Sequence, residues 1–160
     1  MVKNSKNLLI KIIFLISFVA LISAFFIEYI LGHQPCNLCI LERIPYFLAI
    51  IVILLNYKFI QFEKFFMLLL TIIFLAGTAL SLYHLGIEQG FIQESLVCDL
   101  KNGSNSLSKE EILKQLQEKS VSCKDVTFKI FGFSLTSYNI LISLLITISA
   151  GKIYFNYDKN

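Results

Sequence analysis

Four long stretches of the chain contain no Asp, Glu, Lys or Arg, and segments with charged residues separate them. The stretches are residues 12–27, 44–57, 65–87 and 130–151. A hydrocarbon layer of about 30 Å needs roughly 20 apolar residues in a helix that rises about 1.5 Å per residue. The pattern therefore predicts four membrane-spanning helices.

Two of the stretches reach that length only when they are extended. The first needs residues 8–11, with Lys11 reaching to the membrane surface, and the second has to begin near Cys39. We therefore expect an all-α membrane protein, a single domain over residues 1–160, built as a four-helix transmembrane bundle with a long loop between helices 3 and 4. The expected helices cover approximately residues 8–30, 40–57, 63–86 and 133–154, and the loop approximately residues 88–130.

Aromatic residues and the N-terminal segment agree with these spans. Tyr29, Tyr46, Tyr57, Tyr83 and Tyr154 lie near the proposed helix ends, where interfacial aromatic anchors occur. The basic start and apolar run of the N-terminus also resemble a secretory signal. An uncleaved first span is favoured, because the run is longer than a signal's apolar region and the downstream chain is itself apolar.

Composition supports a membrane location and argues against a nucleic-acid partner. The chain is 56% hydrophobic and 16% charged, and its mean hydropathy is +0.73, above the range of ordinary soluble domains. The formal net charge is only +3 and the lysines are scattered. No nucleic-acid partner is therefore expected, and lipid is the expected surrounding.

Lysines near the span ends predict the orientation. They occur at the N-terminus, in the short connection that holds Lys58 and Lys64, and at the C-terminal tail, whereas residues 31–39 have none. Positively charged connections stay in the cytoplasm. Both termini are therefore predicted to be cytoplasmic, and residues 32–39 and 88–129 to face the opposite side of the membrane.

All four cysteines fall in the two connections predicted to lie outside the cytoplasm. Cys36 and Cys39 lie in the first connection, and Cys98 and Cys123 in the third. An even number of cysteines in an oxidising compartment indicates disulfides. Two structural disulfides are one alternative to redox chemistry. A zinc site is a weaker one, because Cys98 and Cys123 are not spaced as a zinc knuckle, and no metal is expected.

The first cysteine pair has the features of a redox centre. A Cys-x-x-Cys pair at a helix N-terminus meets the partial positive charge of free backbone N–H groups, which favours thiolate. In a continuous helix Arg43 lies one turn after Cys39 on the same face and favours the Cys39 thiolate further. The alternative interpretation is that Arg43 is an interfacial anchor with Glu42 as its partner.

Several segments resemble the DsbB family of bacterial disulfide-bond formation proteins. "PCNLCILER" is similar to that family's Pro-Cys-x-x-Cys signature at the start of the second helix. "YHLGIEQGF", "VCDL", "SCKDV" and "FKIFGFSLTSYNILISL" resemble further segments of the family, so that the likeness covers nearly the whole chain.

The resemblance implies a location in a bacterial inner membrane, with the cysteine connections in the periplasm, and an electron relay. A Cys98–Cys123 disulfide would accept electrons from a periplasmic thioredoxin-fold oxidase like DsbA, and exchange with the Cys36–Cys39 pair would pass them to a membrane quinone, either ubiquinone or menaquinone. The catalytic residues would be these four cysteines, with Cys39 facing the quinone and Arg43 binding it.

Two further expectations accompany this interpretation. His84 and Glu88 share a face of the third helix, and His84 is assigned to the quinone site as a proton donor, with an interfacial hydrogen-bonding role as the alternative. Residues 109–119 carry capping signals of a short amphipathic helix at the membrane surface, a plain loop helix being the alternative.

The competing functions are a four-helix scaffold with structural disulfides and an enzyme like vitamin K epoxide reductase, in which the Cys-x-x-Cys belongs to the last helix.

Overall fold

The computed structural model describes residues 2–93, 122–124, 129–130 and 132–156. The described helices are α1 (Val2–Tyr29), α2 (Asn37–Leu41), α3 (Ile44–Lys58), α4 (Glu63–Glu88) and α5 (Leu135–Phe155), with a 3₁₀ turn at Ile60–Phe62 and two short strands, β1 (Lys129–Ile130) and β2 (Phe133–Ser134). The helix predicted at 109–119 lies outside the described residues.

Among the described residues, four segments are long and apolar enough to cross a membrane, namely Lys6–Tyr29, Asn37–Lys58, Ile60–Glu88 and Leu135–Phe155. Their outward side chains are apolar and exposed, and Leu145, for example, is 64% exposed. Such a surface is stable against lipid rather than water. The prediction of an all-α protein with four membrane-spanning helices is confirmed, and the chain is a multi-pass membrane protein.

The second span consists of two helices, where the sequence predicted one. α2 ends at Leu41, Glu42 and Arg43 form a turn, and α3 begins at Ile44. Pro45 explains the interruption, because its nitrogen has no hydrogen to donate to the carbonyl of Leu41 and its ring crowds the preceding turn. The cysteine pair therefore lies on a separate helix of five residues.

The helices pack in the order α1, α3, α4 and α5, with α4 lying along α5. Side chains from all four meet in one apolar core, whose fully buried members include Ala49, Ile53, Met67, Leu70, Phe74 and Ala150. At one place the packing is very close: a Cβ atom added to Gly77 would lie 3.0 Å from Cγ of Pro45. α4 thus supports the interruption between α2 and α3.

Small polar side chains join α4 to α5. The Thr78 hydroxyl donates to Oγ of Ser143 over 3.1 Å, and Nδ2 of Asn139 donates to Oγ of Ser81 over 2.8 Å. Small and hydroxyl-bearing residues let membrane helices approach closely and bond across the interface. This seam leads directly to the cysteine-bearing end of the bundle.

A two-residue hairpin precedes α5. Lys129 pairs with Ser134 and Ile130 with Phe133, and Gly132 adopts φ +85° in the connection, a left-handed conformation that glycine tolerates best. Ser134 then caps α5, its hydroxyl accepting a hydrogen bond from the Ser137 backbone N–H. The cap fixes the start of α5, whose first two turns carry site residues.

Candidate active site

The two cysteines of the first pair lie at the N-terminus of α2. Cys36 is the N-cap residue, its Sγ accepts a hydrogen bond from the Cys39 backbone N–H over 3.3 Å, and the two sulfurs are 2.9 Å apart. Both are free thiols in this structure, Cys36 buried and Cys39 partly exposed. The sequence predicted that the pair lies at a helix start. In the structure, however, the backbone N–H of residue 39 is directed to the sulfur of Cys36 and not to that of Cys39.

The environment of Cys36 favours its thiolate. The hydrogen bond with the Cys39 thiol is the largest cause, and burial opposes it. Contacts with His84 and the Cys39 backbone N–H add to the effect, and together they lower the pKa of Cys36 from 9.0 to about 4. A thiol with a low pKa is a good leaving group in thiol–disulfide exchange, a property of redox-active pairs.

His84 reaches Cys36 from α4. Its Nε2 lies 3.5 Å from Sγ of Cys36, and its Nδ1 lies 2.9 Å from Oε1 of Glu42 in the turn after α2. The imidazole is 1% exposed. The structure therefore brings His84 to the cysteine pair, as the sequence predicted, but places its ring against Cys36.

Glu42 is held from the side opposite His84. Its Oε2 accepts a hydrogen bond from Nδ2 of Asn139 over 3.0 Å, and the Tyr46 hydroxyl donates to Oδ1 of the same asparagine. Tyr46 is only 5% exposed. The prediction that Tyr46 anchors the membrane interface is therefore wrong, since a hydroxyl with a hydrogen-bond partner is stable inside the bundle.

Glu88 closes the other end of this network. The Thr136 hydroxyl donates to Oε1 of Glu88 over 2.6 Å and lies 3.3 Å from Nδ1 of His84. Oε1 of Glu88 is also 3.7 Å from Nε2 of His84, whereas its Oε2 is buried and has no hydrogen-bond partner among the described residues. His84 and Glu88 thus share a helix face, as predicted from their spacing.

A cavity of about 480 Å³ opens between α1, the α2–α3 turn and the start of α5. Most of its wall is apolar, and its polar side chains gather near the cysteine pair; they include Cys39, Glu42, Arg43, Thr136 and Asn139. His84 is not part of this wall, because it lies behind Glu42. Cys39 and Arg43 therefore lie in one wall, as expected, while His84 borders the cavity through Glu42 and Thr136.

Arg43 is oriented by α1. Its Nη1 donates to Oε2 of Glu28, and its guanidinium lies 5.2 Å from the ring centroid of Phe25. The anticipated partner Glu42 instead contacts His84. The turn at residues 42–43 replaces the continuous helix that would have set Arg43 one turn after Cys39, yet both side chains reach the same cavity.

The second cysteine pair is described at one member. Cys123 is disulfide-bonded and 2% exposed, and it belongs to a buried cluster with Cys36, Leu38 and Ile87. Its predicted partner Cys98 lies outside the described residues. The structure therefore brings one cysteine of the third connection beside the first pair, as a relay requires, and the pairing with Cys98 stays a prediction.

The sequence profile described as "Disulfide bond formation protein DsbB" matches residues 6–152. The chain belongs to the DsbB family. It is also 33% identical over 160 residues to a protein of Rickettsia prowazekii (strain Madrid E) called "Uncharacterized protein RP370", covering 99% of this chain and 92% of that protein.

DsbB membership implies thiol oxidoreductase chemistry linked to a quinone, and the cavity suits such a ligand. Its volume is within the usual range of small-molecule pockets, which are mostly apolar with a few convergent polar groups. Cys39 and Arg43 supply a sulfur and a cation at the polar end. We take this fit as the basis for a proposed cofactor site.

The same thiols and imidazole also satisfy the spacing of a soft-metal cluster. The ligand atoms of Cys36, Cys39 and His84 all lie within 4.8 Å of one another. The sulfurs are 2.9 Å apart, however, whereas two thiolates on a tetrahedral zinc, each about 2.3 Å from the metal, would be roughly 3.8 Å apart. The geometry is that of a dithiol, and we assign no metal to it.

Several residues of this DsbB-family site were missed by sequence reasoning. Glu28 lies at the end of α1, and Thr136 and Asn139 lie on α5 about a hundred residues after the cysteines. No local spacing connects these side chains with the cysteine pair. The available signal was their polarity, because an ionisable or amide side chain inside a membrane span is a functional candidate by default.

Proposed function

We propose that this protein reoxidises a periplasmic DsbA-like thiol oxidase and transfers the electrons to a membrane quinone, thereby supporting disulfide bond formation. In this scheme both termini are cytoplasmic and the cysteine connections are periplasmic. The observation that carries the proposal is the position of the Cys36–Cys39 pair. One side of the pair adjoins the buried Cys123, and the other adjoins a cavity that Cys39 and Arg43 line.

The order of the sulfurs suggests the direction of exchange. Cys36 shares a buried cluster with Cys123, while Cys39 reaches the cavity. A Cys123 thiolate, freed when the partner oxidase attacks the proposed Cys98–Cys123 disulfide, would attack Cys36 of the oxidised first pair and release Cys39 as a thiolate. Once the oxidised partner has left, attack of the Cys98 thiolate on Cys123 would re-form the Cys98–Cys123 bond and release Cys36 as a thiolate, so that the first pair is left reduced.

Arg43 would serve the cavity end of this relay. Its guanidinium is fixed by Glu28 and by the face of Phe25, so it offers a positive charge to the wall that Cys39 shares. A fixed cation stabilises both a neighbouring thiolate and a ligand oxygen that gains negative charge. The quinone, when bound, supplies the two-electron acceptor that the dithiol needs.

The decisive experiment is a quinone-reduction assay with purified protein. Reduced DsbA-like protein is mixed with the enzyme and with ubiquinone or menaquinone, and quinone absorbance is followed. We expect turnover that ends when Cys39 or Cys123 is replaced by serine. The matched control is Ser149→Ala, since the exposed Ser149 hydroxyl bonds only within its own helix, to the Leu145 carbonyl.

Disulfide mapping separates the relay from a scaffold with structural disulfides. We expect resting bonds Cys36–Cys39 and Cys98–Cys123, with a transient bond between the two connections during turnover. A single stable cross-connection bond in every redox state, found by mass spectrometry of acid-trapped protein, would exclude the relay.

A further inference from the structure

The buried contacts of His84 and Glu42 are not used by the exchange steps described above. Nε2 of His84 faces Sγ of Cys36 at 3.5 Å, and Nδ1 faces Oε1 of Glu42 at 2.9 Å. The imidazole therefore joins a thiol to a carboxylate through its two ring nitrogens. A nucleophile, a base within reach of it and a third group that orients the base form the arrangement that activates thiols and hydroxyls in many enzymes.

We propose that His84 is a catalytic acid–base residue for the Cys36 thiol, with Glu42 as the group that orients the imidazole and receives its proton at the cavity wall. The inference deepens the proposed function and rests on it. It assigns His84 a role at the sulfur, in place of the role at the quinone that the sequence suggested.

The proposed step is a proton transfer and requires no oxidant. The S–H bond of Cys36 breaks and an N–H bond forms at Nε2 of His84, which gives a thiolate and an imidazolium. When the pair is later oxidised by the quinone of the proposed function, Cys36 enters the disulfide and loses its negative charge. The imidazolium then loses its anionic partner, and its Nδ1 proton passes to Oε1 of Glu42.

The position of Glu42 gives this proton an outlet. Its carboxylate contacts His84 through one oxygen and Asn139 through the other, and the residue lines the cavity beside Cys39. The acceptor of the two electrons also needs protons, so a carboxylate between the dithiol and the cavity is suitably placed. Asn139 and Tyr46 act as positioning residues, since they hold Glu42 and touch neither sulfur.

The remaining charged and titratable groups around His84 are few. The α2 region contributes Cys39 and Glu42, α4 contributes Glu88, and the segment before β1 contributes Cys123 in its disulfide. α3 contributes Tyr46, which reaches Glu42 through Asn139. α5 contributes only neutral side chains, Thr136 and Asn139. Within the described residues His84 is thus the one basic group in contact with Cys36.

The first test reads the thiol directly. In full-length protein with Cys39, Cys98 and Cys123 replaced by serine, the ultraviolet absorbance of the Cys36 thiolate is followed against pH. His84→Gln keeps a hydrogen-bonding side chain but cannot accept a proton, and we expect it to move the midpoint upward by about 1 to 3 pH units. His33→Gln, the matched control at the chain's other histidine, should leave the midpoint in place.

A double-variant cycle tests whether Glu42 acts through His84. Glu42→Gln should also raise the midpoint, and Glu42→Asp should restore part of the shift. Adding Glu42→Gln to His84→Gln should give no further change, because the imidazole that transmits its effect is gone. Additive shifts would show that Glu42 acts on Cys36 independently and would overturn the assigned role of Glu42.

A second measurement needs no change at His84. In the His33→Gln protein with all four cysteines present, nitrogen NMR of the single remaining histidine is recorded in the reduced and oxidised forms. We expect an imidazolium in the reduced form and a neutral ring in the oxidised form. An unchanged ring, or a thiolate midpoint that His84→Gln does not move, would overturn the proposal.

Neither readout requires quinone or a partner oxidase, so the two proposals can fail separately. Loss of quinone reduction with an intact thiol–imidazole pair would refute the proposed function alone. Full quinone turnover, together with a Cys36 midpoint that His84→Gln does not move and a His84 ring that does not change its protonation, would refute this inference alone.

Discussion

The guanidinium of Arg43 pairs with Glu28 of α1, while the adjacent carboxylate of Glu42 turns the opposite way to His84. Two neighbours in the chain thus serve two different sides of the site. The interruption between α2 and α3 allows this divergence, because Glu42 and Arg43 lie in a turn.

Removing the Arg43 charge should weaken the use of quinone. A charge-assisted contact at a partly buried site contributes about 1.5 to 3 kcal/mol, so Arg43→Ala should lower apparent quinone affinity or rate by roughly one to two orders of magnitude. Arg43→Lys should recover part of the loss, since a point charge replaces the planar fork. Steady-state rates against quinone concentration measure the effect, and an unaltered dependence in Arg43→Ala would refute the assignment.

Glu28 should matter through Arg43. Glu28→Gln removes the carboxylate that holds the guanidinium, and we expect a loss of quinone affinity in the same direction as for Arg43→Ala but smaller. In an Arg43→Ala background the added Glu28→Gln change should have little effect. If Glu28→Gln were as harmful with alanine at position 43 as with arginine, Glu28 would act on the site by another route.

The proposed orientation predicts which cysteines can be reached from outside the cell. After reduction, a membrane-impermeant thiol reagent should label Cys98 or Cys123 in intact spheroplasts. Labelling that occurs only in inverted vesicles would reverse the assignment of both termini.

The Cys36 thiolate should make the stability of the reduced protein depend on pH. Its pKa in the folded protein, about 4, lies below the ordinary value of 9.0. The stabilisation is therefore complete above pH 9, declines as the pH falls and is lost below about pH 4. The oxidised protein lacks this thiol, so acidification should lower the melting temperature of the reduced form relative to the oxidised form.

Thermal unfolding of both forms between these pH values, in the same detergent, provides the measurement. Cys36→Ser should abolish the difference in pH dependence between reducing and oxidising conditions. A gap between the two melting temperatures that stays constant with pH would contradict the perturbed thiol.

Asn139 should stabilise the bundle as well as the site. Asn139→Leu removes its bonds with Glu42, Ser81 and Tyr46 and leaves buried polar groups without a partner. Interhelical hydrogen bonds in membranes average about 0.6 kcal/mol each, and stranded buried groups cost more, so a loss of about 1 to 3 kcal/mol is expected. Unfolding in denaturing detergent measures it, with Ser149→Ala as the control that should change little.

The sequence predicts the spans and the cysteine pair well because both depend on local signals. Span length follows from apolar runs, and the position of Cys36 and Cys39 at a helix start follows from the length the second span needs. Pro45 is the one local signal of the interruption after Leu41. Because proline is tolerated in the first turn of a helix, the same residue is also compatible with a single helix that begins shortly before it, and in the structure it lies in the first turn of α3.

Contacts between helices could not be predicted from the sequence. Tyr46 has the position of an interfacial anchor, and only the arrival of Asn139 from α5 shows why it is buried. In the same way, spacing placed His84 near the cysteines but could not decide whether its ring meets the cavity or Cys36. Such choices depend on how helices rotate and pack, which a single sequence with many apolar faces does not specify.

The division of the second span into α2 and α3 has a consequence for bilayers of different thickness. A spanning helix adjusts to a thicker or thinner hydrocarbon layer by tilting. α3 can tilt about the turn at residues 42–43 while α2 stays seated against α4, where Leu38 and Ile87 are buried in one cluster. We therefore expect the distance between the Cys36 sulfur and the His84 ring to change little with the thickness of the membrane.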